Sequence, residues 1–170
     1  MSDGVTIIDG LVAEHRVFLS LFDQMERLLP GIKTVDEIAL LCRLLERPLR
    51  NHGGAEIDLA YIALDHILKE KRRTTRLYHD HHELDNLLQE VATIQDVVQA
   101  RARFRAALEA CRAHFDDEER NVFPLIERAF QRETLLLLGK VWYARSPSSR
   151  RAAEGPRVSS RDKAGLPKFN

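Results

Sequence analysis

Two short stretches carry the residue types of a metal clamp, His52-Gly-Gly-Ala-Glu56 and His114-Phe-Asp-Asp-Glu118. On a helix, positions four apart lie on one face, so each imidazole stacks beside a carboxylate. Turned inward, a neutral imidazole and a carboxylate offer two donor atoms to a divalent ion. A single such pair is ordinarily a surface contact. Here the pattern occurs twice, and each time a further histidine (His15, then His81) precedes it on an apolar stripe.

The stripes define the elements that must position these groups. Leu11, His15, Phe18, Leu19, Phe22 and Met25 recur at helical spacing and predict a helix over 6–29, stopped by Pro30-Gly31. Thr34-Val-Asp-Glu37 reads as a capping box opening a second helix to about Lys69. Its inward residues should be Leu41, Leu45, Leu49, His52, Glu56, Leu59 and Ala63. Pro48 and the glycines at 53 and 54 predict a kink or bulge just before His52.

After a basic turn, Lys69–Arg73, Thr74 or Thr75 is placed to cap a third helix ending near Ala92. Its stripe holds Leu77, His81, Leu84, Leu88 and Val91, so His81 should face inward. His79 and His82 fall on the outer side, as does His66 on the second helix. Thr93-Ile-Gln-Asp96 reads as a short helix–helix turn with a fresh N-cap, and the fourth helix after it carries Phe104, Ala107, Leu108, Cys111, His114, Glu118, Val122, Leu125 and Ala129. Pro124 predicts another kink, one to two turns past Glu118. The short apolar piece from Thr134 to Ala144 needs a cover, either the open end of the bundle or a second copy in a homodimer.

Shifting the chain by sixty-six residues lays Leu11 on Leu77, Glu14 on Asp80, His15 on His81 and Phe22 on Leu88. A shift of sixty-two lays His52 on His114, Glu56 on Glu118 and Tyr61 on Phe123. The chain thus reads as two helix pairs of one plan. The expected fold is all-α, an antiparallel up-down four-helix bundle with a short additional C-terminal helix, spanning residues 1–145. Residues 146–170, rich in Ser, Pro, Gly and basic side chains, read as a disordered tail.

Such a bundle converges four imidazoles and two carboxylates in its interior. Without a cation the buried carboxylates cost several kcal/mol each or take up protons. The set exceeds what one tetrahedral zinc uses and suits two metals, each held by two histidines and bridged by both glutamates. The mixed nitrogen and oxygen donors favour iron, with manganese or zinc as other occupants.

Composition narrows the function classes. Lys plus Arg equals Asp plus Glu at 26 each, which leaves no nucleic-acid footprint. No run approaches the roughly twenty apolar residues of a membrane span, and the N-terminus lacks the basic and apolar regions of a signal peptide. Cys42 and Cys111 sit within apolar patterns and read as free buried thiols of a reducing compartment. A soluble cytoplasmic protein is the expectation.

From about residue 6 to 130 the chain resembles the hemerythrin-like family, the His-His-Glu cation-binding domain. The segment His114-Phe-Asp-Asp-Glu118-Glu119-Arg-Asn-Val-Phe-Pro124 carries the resemblance most strongly, with Glu14-His15, Asp80-His81 and His52-x-x-x-Glu56 beside it. The resemblance implies a di-iron centre with an oxo or hydroxo bridge. His15 and His52 would hold one ion, His81 and His114 the other, with Glu56 and Glu118 bridging. Oxygen-carrying hemerythrins have a further histidine where this chain has Leu77, and they space the last His and acid by five, which Glu119 would satisfy. Glu118 repeats the His52–Glu56 spacing and is preferred, with Glu119 as the alternative. Tyr78, beside Leu77, is either near the metals or an ordinary packed tyrosine.

The missing histidine opens one ion to O2, NO or peroxide and argues against a tuned reversible oxygen carrier. Three functions follow: a di-iron protein that binds, senses or reacts with such small molecules or handles iron; an enzyme on the same site, consuming peroxide or repairing iron–sulfur clusters; and a metal-free helical interaction module.

Overall fold

The computed structural model describes residues 4–67 and 72–145, with side chains except those of 67 and 72–74. The expected tail at 146–170 and most of the basic turn, residues 69–71, lie outside the described residues. Helix α1, Ile7–Leu28, opens on Thr6, whose hydroxyl accepts from Asp9 N–H at 3.1 Å while Asp9 accepts from Thr6 N–H at 3.0 Å. This reciprocal capping box satisfies two donors that the first turn leaves unpaired. A 3₁₀ turn, Leu29–Gly31, closes α1 at Pro30. Helix α2, Val35–Ala55, starts at the Thr34–Glu37 capping box expected from sequence.

A single π-helical turn, Glu56–Tyr61, joins α2 to α3, Ile62–Ile67. Helix α4 covers Arg72–Val91. It has begun by Arg72, so Thr74 and Thr75 lie within its first turn and do not precede it as caps. Asp96 caps α5, Val97–Asp117, by accepting from Gln99 N–H at 2.8 Å. A second π turn, Glu118–Val122, leads into α6, Phe123–Ala129, and α7 spans Arg132–Arg145.

The fold is the expected all-α bundle, in which α1, α2–α3, α4 and α5–α6 are the four antiparallel rods. Helix α7 lies along α1. The contact is close because both partners present glycine there. A Cβ at Gly139 would meet the Val5 carbonyl oxygen at 2.3 Å, and one at Gly10 would meet the Trp142 ring at 2.8 Å. Arg145 pairs with Asp58 at 3.1 Å and ties the end of α7 to the first π turn. The bundle itself therefore covers Leu135, Leu138 and Trp142, while Leu137 and Tyr143 stay exposed.

The π turns correct two expectations. The irregularity of the second rod follows His52 and does not precede it. Pro48 sits inside α2 on its exposed side, and Leu44, whose carbonyl it deprives of a partner, is itself an exposed residue. The inward register also moves by one residue. Leu64, not Ala63, is buried on the second rod, and Ile126, not Leu125, on the fourth. One extra residue in a turn advances everything after it, and both halves of the repeat carry the same insertion. Pro124 follows the second π turn directly, at the start of α6.

The core is thereby split. One apolar cluster gathers Phe18, Phe22, Leu45, Leu88, Phe104 and Leu108; the other gathers Ile7, Leu11, Leu64, Leu77, Phe123 and Ile126. The layer between them is polar.

Candidate metal centre

Each rod contributes to that layer at one level. His15 comes from α1, His52 from the last turn of α2, His81 from α4 and His114 from the last turn of α5. Glu56 and Glu118 are the first residues of the two π turns, and both are completely buried. The structure brings all six together. Glu56 Oε1 lies 3.2 Å from His52 Nε2 and 3.5 Å from His15 Nε2, and its Oε2 lies 2.9 Å from His81 Nε2. Glu118 Oε1 lies 3.2 Å from His114 Nε2, and its Oε2 lies 3.4 Å from His15 Nε2. Glu119 is partly exposed and reaches only the outer edge of His15, while His66, His79 and His82 lie on the surface.

The donor atoms fall into two sets. One comprises His15, His52, Glu56 and Glu118; the other comprises His81, His114 and the same two glutamates, with the atoms of each set within 4.8 Å of one another. Both carboxylates belong to both sets, as bridging ligands would. The first set contains buried atoms with no hydrogen-bond partner: His15 Nε2, His52 Nε2, Glu56 Oε1 and Glu118 Oε2. Buried polar atoms are nearly always paired. Unpaired donor atoms gathered in so small a space fit a cation.

The outer edges of the rings are held. His15 Nδ1 bonds Glu119 Oε1 at 2.9 Å, and His52 Nδ1 bonds Glu14 Oε2 at 2.7 Å. His81 Nδ1 donates to the Leu77 carbonyl at 3.0 Å. Holding Nδ1–H outward fixes the tautomer that presents Nε2 to the interior. Phe115 stacks on His15 with ring centres 4.0 Å apart, and Phe18 and Phe115 meet His52 edge-on, so aromatic carbon seals this side from water.

The carboxylates bias the buried imidazoles toward their protonated form. Burial opposes charge on His15, yet Glu118 and Glu56 outweigh it and raise the pKa to about 9. Burial likewise opposes His52, and Glu56 and Glu14 raise it to about 10. Burial pushes Glu56 up, but His52, His15 and His81 hold it well below the ordinary carboxylate range. Burial and Glu56 push Glu118 up, and His114 and His15 bring it down. The cluster is thus a receptor for positive charge. Divalent ions entering it would take the place of these protons.

Three contributors were not legible in the sequence. Tyr61 is fully buried, and its hydroxyl donates to Glu118 Oε1. Reading the rod at strict α spacing from Glu56 passes it over, and the π turn swings it inward. Glu14 appeared only as an acid beside a histidine, although it bonds His52 and not its neighbour His15. Gly53 gives His81 its room, because a Cβ there would lie 2.6 Å from His81 Cδ2. Tyr78 is a packed, half-buried residue that donates to Asp65 at 3.2 Å.

The family model of the hemerythrin HHE cation-binding domain matches residues 6–126. The chain belongs to the hemerythrin HHE family. The matched span holds all six converging residues and leaves out α7, which this hemerythrin-like chain packs on its own first helix. Searches of curated proteins and of solved structures return no significant match. No helix among the described residues is long and apolar enough to cross a membrane. Membership makes a cation-binding protein of this hemerythrin-like chain, and its His/Glu groups could hold the metal.

Proposed function

We propose that this protein is a non-haem di-iron protein that binds or reacts with O2, NO or peroxide. In this reading His15 and His52 hold one ion, His81 and His114 hold the other, and Glu56 and Glu118 bridge them. The observation that carries it is the sharing of both buried glutamates by two donor sets, with orphaned lone pairs in the first. Iron bound there supplies redox chemistry toward small oxygen and nitrogen species; manganese and zinc fit the same donors less selectively.

The chain's own residues prepare the site. Glu14, Glu119 and the Leu77 carbonyl orient three of the imidazoles, and Tyr61 supplies a hydrogen bond to Glu118. Leu77 is buried where oxygen-carrying hemerythrins have a further histidine, so the His81/His114 ion keeps a side free of that ligand. An open side suits reaction or sensing better than reversible carriage.

The test is metal content and the visible spectrum of protein purified from iron-supplied cells. About two irons per chain with di-iron absorption bands are expected. Fewer than one metal per chain, together with a melting temperature indifferent to a strong chelator, would leave a metal-free helical module as the better description. Ligand binding to the folded state alone must raise stability, so chelation should lower the melting temperature of the loaded protein.

A further inference from the structure

A cavity of about 160 Å³ lies between α2, α4 and α5 and reaches the His81/His114 side of the centre. Leu49, Ile57, Leu84, Leu88, Cys111 and Phe115 form its walls, and His52, His81 and His114 stand at its inner end. Its other charged lining residues, Arg50 and Asp85, face solvent and lie 3.6 Å apart as an ion pair. They leave no uncompensated charge for an ionic ligand.

Size decides what this space is for. A water molecule occupies about 30 Å³ of liquid, and a dry apolar cavity of roughly 150 Å³ holds benzene. O2, NO and hydrogen peroxide would use only a fraction of it. Apart from the solvent-facing Arg50–Asp85 pair, the walls offer carbon and one thiol, and the metal-binding groups are the three imidazoles at the inner end. The His81 and His114 Nε2 atoms there are 3.3 Å apart.

We propose that this cavity binds a neutral organic molecule with a compact apolar body, up to about benzene size, and a single terminal oxygen directed at the His81/His114 end. Alcohols, phenols and organic hydroperoxides share that chemistry. The oxygen end rests on the metal reading above; the apolar body does not. Nothing in the cavity selects for a diatomic molecule, whereas its volume and largely apolar walls suit carbon.

The test uses the full chain, metal-free and zinc-loaded, titrated with benzene and with phenol by calorimetry and by methyl NMR of Leu84, Leu88 and Ile57. Both probes are expected to saturate in both forms, with shifts confined to the cavity walls. Zinc loading should tighten phenol at least fivefold and leave benzene unchanged. Leu84→Phe should remove both events. The titrations of the unaltered chain stand whether or not that variant folds. Displacement of phenol by tert-butanol and by tert-butyl hydroperoxide ranks alcohol against hydroperoxide. Absence of saturable benzene and phenol binding in both forms would overturn the proposal. So would equal responses of the two probes to zinc, with at least one zinc per chain confirmed by elemental analysis. Failure of zinc to bind at all counts against the metal centre instead, and benzene binding to the metal-free chain then still supports the apolar half.

Discussion

Gly53 and His81 occupy one space: a methyl group on Gly53 would sit 2.6 Å from Cδ2 and 3.0 Å from Nε2 of the imidazole. The neighbouring Gly54 has nothing within 4 Å of the same position. Two adjacent glycines on one helix thus have different reasons to be glycine. Alanine at either should favour the helix by about 1 kcal/mol. Gly54→Ala should therefore raise the melting temperature of the metal-free protein and leave metal affinity alone. Gly53→Ala should displace the His81 ring and weaken metal binding by on the order of tenfold or more. Competition against a chromophoric chelator, run beside thermal melts, separates the two. Equal metal affinities would show that His81 is not a ligand.

Glu14 and Glu119 touch the rings from outside, each on the Nδ1 of a histidine from another rod. Replacing either by glutamine removes the charge from the acceptor and frees the amide to turn. Loss of such a partner typically costs roughly 10- to 100-fold in metal affinity. Both carboxylates are partly exposed, so the metal-free fold should lose little stability. Isothermal titration with zinc and urea unfolding of each variant check the two halves of this expectation.

Tyr61→Phe removes a buried donor from a buried carboxylate. The ring has room to stay, since the repeat places Phe123 at the equivalent position of the fourth rod. A hydrogen bond to a charged group contributes about 1.5–3 kcal/mol, and the metal-free variant should lose about that much in urea unfolding. In the loaded protein Glu118 shares its charge with cations, and the loss should shrink. A loss that is the same with and without metal would separate Tyr61 from the centre.

The cysteines predict a pH dependence of their own. Burial pushes Cys42 up to about 11 and Cys111 up to about 12, against about 8.5 in an unfolded chain. A thiol whose folded pKa is raised adds stability that is fully present below the unfolded value and lost as pH rises toward the folded one. The urea midpoint should hold to about pH 8 and fall between pH 9 and 11. Cys42→Ala should flatten part of that fall. Ellman's reagent should find no thiol in the native protein at pH 8 and both after unfolding.

Much of this was readable from residue spacing. The four rods, the cap at Thr34, the turn at 93–96, the inward placement of His81 against His79 and His82, and the two-fold plan all follow from period and punctuation. What escaped was phase. A stripe read at 3.6 residues per turn cannot register one added residue, so it points to Ala63 and Leu125 where Leu64 and Ile126 lie, and it passes over Tyr61. Pairings across rods, such as Glu14 with His52, also leave no trace in a single helix. The docking of α7 depends on Gly10 and Gly139, whose lack of a side chain carries no signal until both backbones are in place.

The two π turns also bear on how such a centre could come and go. A chain shortened by one residue in each turn would keep its helices and its upper layer of leucines and phenylalanines unchanged. Its lower half would keep its phase, with Leu64 and Ile126 still facing the axis, because each deletion removes the residue that the π turn adds; it would lose the wide turn that swings Tyr61 inward. A pair of single-codon deletions would thus act on the turns that carry Glu56 and Glu118 alone and leave the apolar packing on both sides in register.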